Sequence, residues 1–258
     1  MRFRGLIQPL RESREFINVI HNINKNKFPI GITGLSESAR SYFIYSVYEE
    51  MNAPFVVVTD NDMEAKKLHE DLSLYLSNVY YFPTKDVVFY NVDAISGDLR
   101  WERIKIIKEM LLKGRKIIVT SIEAFSSYYS PVDLYKKYTF NIGLGDTIDL
   151  EKFGRELILS GYERVETVDS KGQFSIRGGI FDIFPPISNM PYRIEFFGDE
   201  IESIRTFNTG SQRSIEKVTK VDIFPAKEII LEESNIERGY DLIKQELSVV
   251  IENIKEKK

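Results

Sequence analysis

The sequence contains no cysteine and only two histidines, His21 and His69. The missing cysteines exclude disulfide bonds and cysteine-based metal sites, and two histidines are too few for a histidine metal centre. No apolar run reaches the about 18 residues that a transmembrane helix requires. Arg2 and Arg4 interrupt the start too early for the apolar core of a signal peptide. These absences predict a cytoplasmic protein that binds no metal.

A surplus of basic residues is also missing. The 258 residues include 39 acidic and 35 basic side chains, which gives a net charge of −4. Nucleic-acid-binding domains usually carry a basic surplus because phosphate contacts supply much of their affinity. DNA is therefore not the expected partner of this chain.

The first half of the chain alternates short apolar runs with helical patterns. Residues 28–32, 54–59, 79–82 and 115–120 are predicted strands, and helical spacing separates them. The run at 54–59 is continuously apolar, as expected for a strand that is buried on both faces. Strand and helix in alternation predict a parallel sheet with helices on both faces.

The pattern changes after about residue 122. Residues 162–208 follow a period of two, and residues 192–207 predict a hairpin around a Gly198-Asp199 turn. This segment is predicted to be antiparallel and α+β, whereas residues 221–225 are predicted to return to the first sheet. The predicted organisation is an α/β domain at 1–122, an inserted α+β domain at 123–213, and a return to the first domain with a charged helix at 214–258.

A degenerate phosphate-binding loop follows the first predicted strand. A functional P-loop needs a strand, the pattern GxxxxGK[ST] and a helix. Here an alanine replaces the second glycine and an arginine replaces the lysine, whose point charge it does not reproduce. Glu37 adds a negative charge where phosphate would lie. A weak nucleotide site and a relic loop that only caps a helix are the two interpretations, and the substitutions favour the relic. The loop residues concerned are Gly31, Gly34, Ala39, Arg40 and Ser41.

The most specific pattern lies in residues 161–185 and 192–204. It contains GYERVETV, GQFSIRGGIFDIFP and YRIEFFGDEIESI. These segments resemble the region shared by UvrB, the helicase subunit of nucleotide excision repair, and the transcription-repair coupling factors (Mfd). The degenerate loop resembles that of the coupling factors, because UvrB keeps an intact one. The interval between Phe82 and Leu99 is also too short for the DNA-threading hairpin of UvrB.

The resemblance extends over about residues 28–230 and implies both fold and function. The implied fold is a degenerate, helicase-like P-loop domain with an inserted antiparallel α+β domain, as in UvrB. The implied function is a non-catalytic module that recruits the damage-recognition subunit UvrA to stalled RNA polymerase. RNA polymerase and DNA binding, with ATP and magnesium, would belong to later domains, so that this chain would be an N-terminal fragment without a cofactor. A fragment of a UvrB-type ATP-dependent helicase and an autoregulatory module are the alternatives.

The resemblance also implies which residues dock UvrA. UvrB uses arginines at positions that correspond to Arg164 and Arg177, while a third UvrB arginine falls at Ser175. Phe181 is the implied apolar anchor, although a phenylalanine at such a position is more often part of a core.

The residues themselves support an exposed position for the two arginines. Alternation along 173–177 places Phe174 and Ile176 on one face and Arg177 on the other. The alternative is that the arginines form surface ion pairs with Glu163 or Glu166, which charged strand residues commonly do.

Overall fold

The computed structural model of the protein describes residues 4–85 and 96–256. The chain divides into two compact units between Ser127 and Tyr128. In the part of the chain that is described, no helix is long and apolar enough to cross a membrane.

The first unit contains a three-stranded parallel sheet with helices packed on it. The strand order is β1-β3-β2, and Val57 and Tyr81 both lie in register with Val119 of the central strand. The elements of this unit are α1 (Arg4–Arg11), α2 (Arg14–Asn24), α3 (Glu37–Glu50), β1 (Phe55–Thr59), α4 (Asp62–Ser73), β2 (Val79–Phe82), α5 (Ser96–Leu111), β3 (Ile117–Ser121) and α6 (Ile122–Phe125).

The core of the first unit lies between this sheet and helices α1, α3 and α4. In α4, Ala65, Leu68 and Leu72 are spaced by three and four residues, so they share one helix face and are buried together. Asn61 caps the helix, since its side-chain oxygen accepts a hydrogen bond from the Glu64 N–H at 2.9 Å.

Two strand predictions for this unit need correction. Residues 28–32 form no strand but an irregular segment in which Phe28 is exposed. Pro29 lacks an N–H group for a sheet, and neighbouring glycines weaken an extended run. Strand β1 forms as predicted but is not buried on both faces, because Val56 and Val58 are 58% and 40% exposed. It lies at the edge of the sheet.

The second unit is built on a six-stranded sheet of order β10-β9-β8-β7-β6-β5. All neighbours in it are antiparallel except β5 and β6, which are parallel. The elements of this unit are α7 (Val132–Lys137), β4 (Phe140–Gly143), α8 (Leu150–Leu159), β5 (Glu163–Arg164), β6 (Gln173–Arg177), β7 (Ile180–Ile183), β8 (Tyr192–Phe197), β9 (Glu200–Phe207), β10 (Ser214–Lys217), β11 (Lys220–Ile223) and α9 (Glu233–Glu256).

Helix α8 covers the apolar face of this sheet. A Cβ atom added at Gly154 would lie 3.3 Å from Ile176 and 3.7 Å from Phe174, so the helix approaches β6 closely there. The Phe153 ring packs edge-on against Phe181 at 5.4 Å between centroids. The fold class, a parallel α/β part with an antiparallel α+β part, is confirmed in this outline.

The predicted hairpin forms, but a later strand pairs differently from the prediction. Strands β8 and β9 meet at a turn in which Gly198 has φ +61°, a backbone conformation that favours glycine. Strand β11 pairs with β4, with Val221 opposite Ile142. The expected return of residues 221–225 to the first sheet was therefore wrong, since the strand completes a two-stranded sheet of the second unit.

Candidate partner-docking face

The two candidate arginines lie at one edge of the six-stranded sheet. Strand β5 is the edge strand, with Arg164 in register with Phe174 of β6. The Val165 N–H continues this pairing and donates to the Phe174 carbonyl at 2.9 Å. Arg177 ends β6, opposite Ile180 of β7. Both arginines are exposed, as strand alternation and the resemblance predicted.

A surface groove of about 510 Å³ joins them. One wall is the segment that begins at Arg164, and the other is the last part of β6, which ends at Arg177. We call this feature the arginine groove; it is lined by Arg164, Val165, Glu166, Thr167, Ser175, Ile176 and Arg177.

A buried carboxylate holds Arg177 in place. Asp182 of β7 has a side chain that is 1% exposed, and it accepts a hydrogen bond from Arg177 Nη2 at 2.9 Å. Arg193 of β8 donates to the same carboxylate from Nε and Nη2, both at 2.8 Å. The hydrogen bond to Asp182 raises the pKa of Arg193. Arg193 thus forms the bidentate pair, while Arg177 keeps half of its side chain exposed.

The same hydrogen-bond network extends to Val168, which directly follows the residues of the opposite wall. Arg193 Nη1 donates to the Gln212 carbonyl at 3.0 Å, and Gln212 Nε2 donates to the Val168 carbonyl at 3.2 Å. Ser175 Oγ spans the groove floor and donates to the Glu166 carbonyl at 2.9 Å. Both walls are therefore fixed by side-chain hydrogen bonds, and the groove is preformed in the folded chain.

The Arg164 side chain, unlike that of Arg177, forms no ion pair with a described residue. This side chain makes no hydrogen bond or ion pair with any residue that the structure describes, and no such bond joins Arg177 to Glu163 or Glu166 either. The alternative of surface pairs with those glutamates is therefore not what the structure contains. Arg164 presents all of its N–H donors to solvent or to a partner.

Phe181 lies in the core and not on this face, which corrects its expected role as an exposed anchor. Its side chain is fully buried and packs against Phe153 and Phe174. After the Gly178-Gly179 turn, Phe181 of β7 lies opposite Ile176 of β6, so both side chains are on the inner face of the sheet. A fully buried ring offers no contact area to a partner, so Phe181 supports the sheet beneath the groove.

Sequence reasoning missed Asp182 and Arg193. The one available signal was a charged residue between Phe181 and Ile183, because a carboxylate within an apolar strand needs a partner. That partner is Arg193, which lies directly opposite on β8. The pairing depends on strand register, which the sequence does not state.

The degenerate loop has its charged groups engaged within the chain. Arg40 Nη1 lies 3.7 Å from a carboxylate oxygen of Glu64, and Glu37 forms an ion pair with Lys67. The hydrogen bond from Lys67 lowers the pKa of Glu37.

The polar groups at the start of α3 are also used locally. Ser36 accepts a hydrogen bond from the Ala39 N–H at 3.4 Å, and the Ser41 hydroxyl donates to the Ser38 carbonyl at 3.3 Å. Gly34 adopts φ +81°, while Gly31 lies in the irregular segment before it. The loop caps a helix, which is one of the two roles that the sequence allowed.

Most of the second unit is similar to a known protein domain. Residues 140–229 match the family model of the UvrB interaction domain. The matched residues include both arginines of the groove and Asp182, which accepts a hydrogen bond from Arg177.

The chain as a whole is similar to transcription-repair-coupling factors, which confirms the resemblance seen in the sequence. It is 34% identical over 248 residues to that of Bacillus subtilis, a match that covers 95% of this chain and 21% of the relative. It is 33% identical over 228 residues to that of Staphylococcus aureus strain USA300, with 88% of this chain and 19% of the relative covered. The chain thus spans about a fifth of the length of the curated relatives that it matches.

Proposed function

We propose that this chain is the module through which a transcription-repair coupling factor recruits UvrA to stalled RNA polymerase in nucleotide excision repair. The observation that carries the proposal is the arginine groove: Arg164 and Arg177, chosen from the resemblance, line one exposed groove within the UvrB interaction domain. Residues of separate strands that share a preformed groove are suited to bind one partner surface.

The chemistry of the groove fits an acidic partner surface. Arginine forms planar, charge-assisted hydrogen bonds with carboxylates and is enriched among the residues that dominate interface energies. Arg164 has no partner among the described residues, and the Asp182 carboxylate already pairs with Arg193 in bidentate form. Both groove arginines therefore have N–H donors left for UvrA.

Within this proposal the chain is cytoplasmic, non-catalytic and needs no cofactor. The ion pairs of Arg40 and Glu37 and the missing strand before the loop support this view. Binding of RNA polymerase and DNA, and the use of ATP and magnesium, are assigned to other parts of the longer proteins of this kind.

The test is a double Arg164→Ala, Arg177→Ala variant, titrated against purified UvrA by biolayer interferometry. We expect Kd to rise tenfold or more, because interface arginines contribute about 2 kcal/mol each on truncation and about 1.4 kcal/mol is one decade in Kd. The free energy of unfolding should fall by about 1 kcal/mol or less, since both side chains are exposed and Asp182 keeps its bidentate pair with Arg193.

Arg155→Ala is the matched control. Arg155 is an exposed arginine of the same unit whose only ion pair is with Glu151, one helical turn away, among the described residues. An unchanged affinity of the double variant for UvrA would reject the groove as the docking face. Unfolding of the double variant would instead make the arginines structural.

A further inference from the structure

We propose that Phe197 is the apolar anchor of the docking face, the role that Phe181 does not fill. This inference rests on the function proposed above and adds a contact residue to it. Phe197 ends β8 at the hairpin turn, and 82% of its surface is exposed. The next residue, Gly198, makes the turn.

Phe197 lies at the same end of the sheet as Arg177, the residue at which the arginine groove ends. The β6–β7 turn at Gly178-Gly179 and the β8–β9 turn at Gly198-Asp199 lie at one end, because consecutive antiparallel strands alternate in direction. The backbone confirms their proximity, since the Phe196 N–H donates to the Gly179 carbonyl at 2.8 Å.

The strand register gives the separation from Arg177. Arg177 lies opposite Ile180, and Ile180 lies opposite Glu195, two residues before Phe197. Two strand spacings and two residues along the strand place the Cα atoms of Arg177 and Phe197 roughly 12 Å apart. That distance is well within the span of a standard protein interface.

The Phe197 ring lies outside the core of the second unit. The neighbouring Phe196 is half-buried and lies opposite the buried Ile201, whereas Phe197 lies opposite the exposed Glu200. The turn depends on Gly198 and not on an aromatic residue before it. The phenyl ring at this position is therefore largely exposed apolar area and not part of the core.

A single exposed apolar residue is ordinary on a protein surface. Phe197 differs because exposed residues of types that are common in interfaces lie near it, together with the exposed acidic residues Asp199 and Glu200. Ile180, which is 38% exposed, lies between it and Arg177, so an aromatic, an aliphatic and an arginine side chain are found at one end of the sheet. Aromatic residues and arginine are the types enriched among residues that dominate binding.

The partner expected to contact Phe197 is the one that binds the arginine groove. Its surface would combine acidic groups with an apolar pocket. Charge complementarity to Arg164 and Arg177 selects the acidic part. Continuity of Phe197 with Arg177 along the sheet end selects the apolar part, because two residues at this separation fit within the area that one partner covers.

The test titrates a Phe197→Ala variant of the full chain against purified UvrA by calorimetry. We expect Kd to rise tenfold or more with an unchanged melting temperature, and a Phe197→Tyr variant, which keeps the ring, to stay within threefold of the unaltered chain. Tyr128→Ala is the control, since Tyr128 is an aromatic residue of the same unit that is 88% exposed. It should leave Kd unchanged.

The possible outcomes separate this inference from the proposed function. If the double arginine variant loses affinity and Phe197→Ala does not, Phe197 is not the anchor although the docking face stands. If neither variant loses affinity, both proposals fail. Sedimentation of the chain without UvrA tests a further outcome. If the chain is a dimer and Phe197→Ala converts it to a monomer, Phe197 contacts a second copy of the chain and the inference is wrong.

Discussion

At the scale of single residues, Asp182 organises the candidate site without touching a partner. Its carboxylate is buried and accepts hydrogen bonds from Arg177 and Arg193, which lie on the two neighbouring strands. Removal of one member of a buried ion pair leaves the other charge desolvated without compensation, which costs more than the pair contributes when intact. Arg193, with a side chain that is 16% exposed, would be the residue left without its partner.

We therefore predict that Asp182→Ala destabilises the second unit by about 3 kcal/mol, measured as the free energy of unfolding in urea. Asp182→Asn keeps the size of the side chain and one acceptor oxygen, so its effect should be smaller. Arg177→Ala is the comparison, because it removes a half-exposed partner of the same carboxylate and should cost about 1 kcal/mol or less. Equal effects of Asp182→Ala and Arg177→Ala would contradict this account.

Secondary-structure elements differ in how far local sequence determines them. The hairpin at residues 192–207 was predictable because the Gly198 turn and the largely alternating pattern on either side of it are local signals, although the pairing shifts register after Glu195. The segment 28–32 was not, because its apolar composition resembles a strand while no neighbouring strand pairs with it. Strand β11 was recognised as extended, but its partner β4 lies about 80 residues earlier, and pairing at that distance leaves no trace in one sequence.

The loop before α3 carries a prediction at this scale. We expect no ATP binding by calorimetric titration with magnesium present, up to millimolar nucleotide. A P-loop needs a strand that directs its N–H groups towards phosphate, and residues 28–32 provide none. Arg40 and Glu37 are also already paired with side chains of α4.

A variant with the motif residues restored, Ala39→Gly with Arg40→Lys, is the matched control for that loop. It should also fail to bind ATP, because the substitutions do not create the missing strand or remove Glu37. Micromolar affinity of the unaltered chain would contradict the prediction. Affinity gained only by the restored variant would show that the two side chains, and not the strand, abolish the site.

At the scale of the whole molecule, sequence reasoning succeeded where it depended on a long pattern. The segments around Arg164 and Arg177 identified the second unit, and its match to the UvrB interaction domain bears this out. Contacts between strands could not be predicted from the sequence. The ion pairs of Asp182 and the exposed position of Phe197 are therefore known only from the structure. The burial of Phe181 could not be predicted from the sequence either, because it depends on the packing of α8 against β7.

The division into two units carries the final prediction. Residues 128–258, expressed alone, should unfold cooperatively and bind UvrA with the affinity of the whole chain. The unit has a core of its own, in which Phe153, Phe174 and Phe181 pack together, and Tyr162 donates a hydrogen bond to the Phe224 carbonyl at 2.7 Å. It also contains the whole arginine groove. Urea unfolding and titration with UvrA measure the two properties, with the Arg164→Ala, Arg177→Ala variant of the same fragment as the negative control. A well-folded fragment with a clearly weaker affinity would mean that the first unit contributes contacts to UvrA, because the groove alone would then not account for docking.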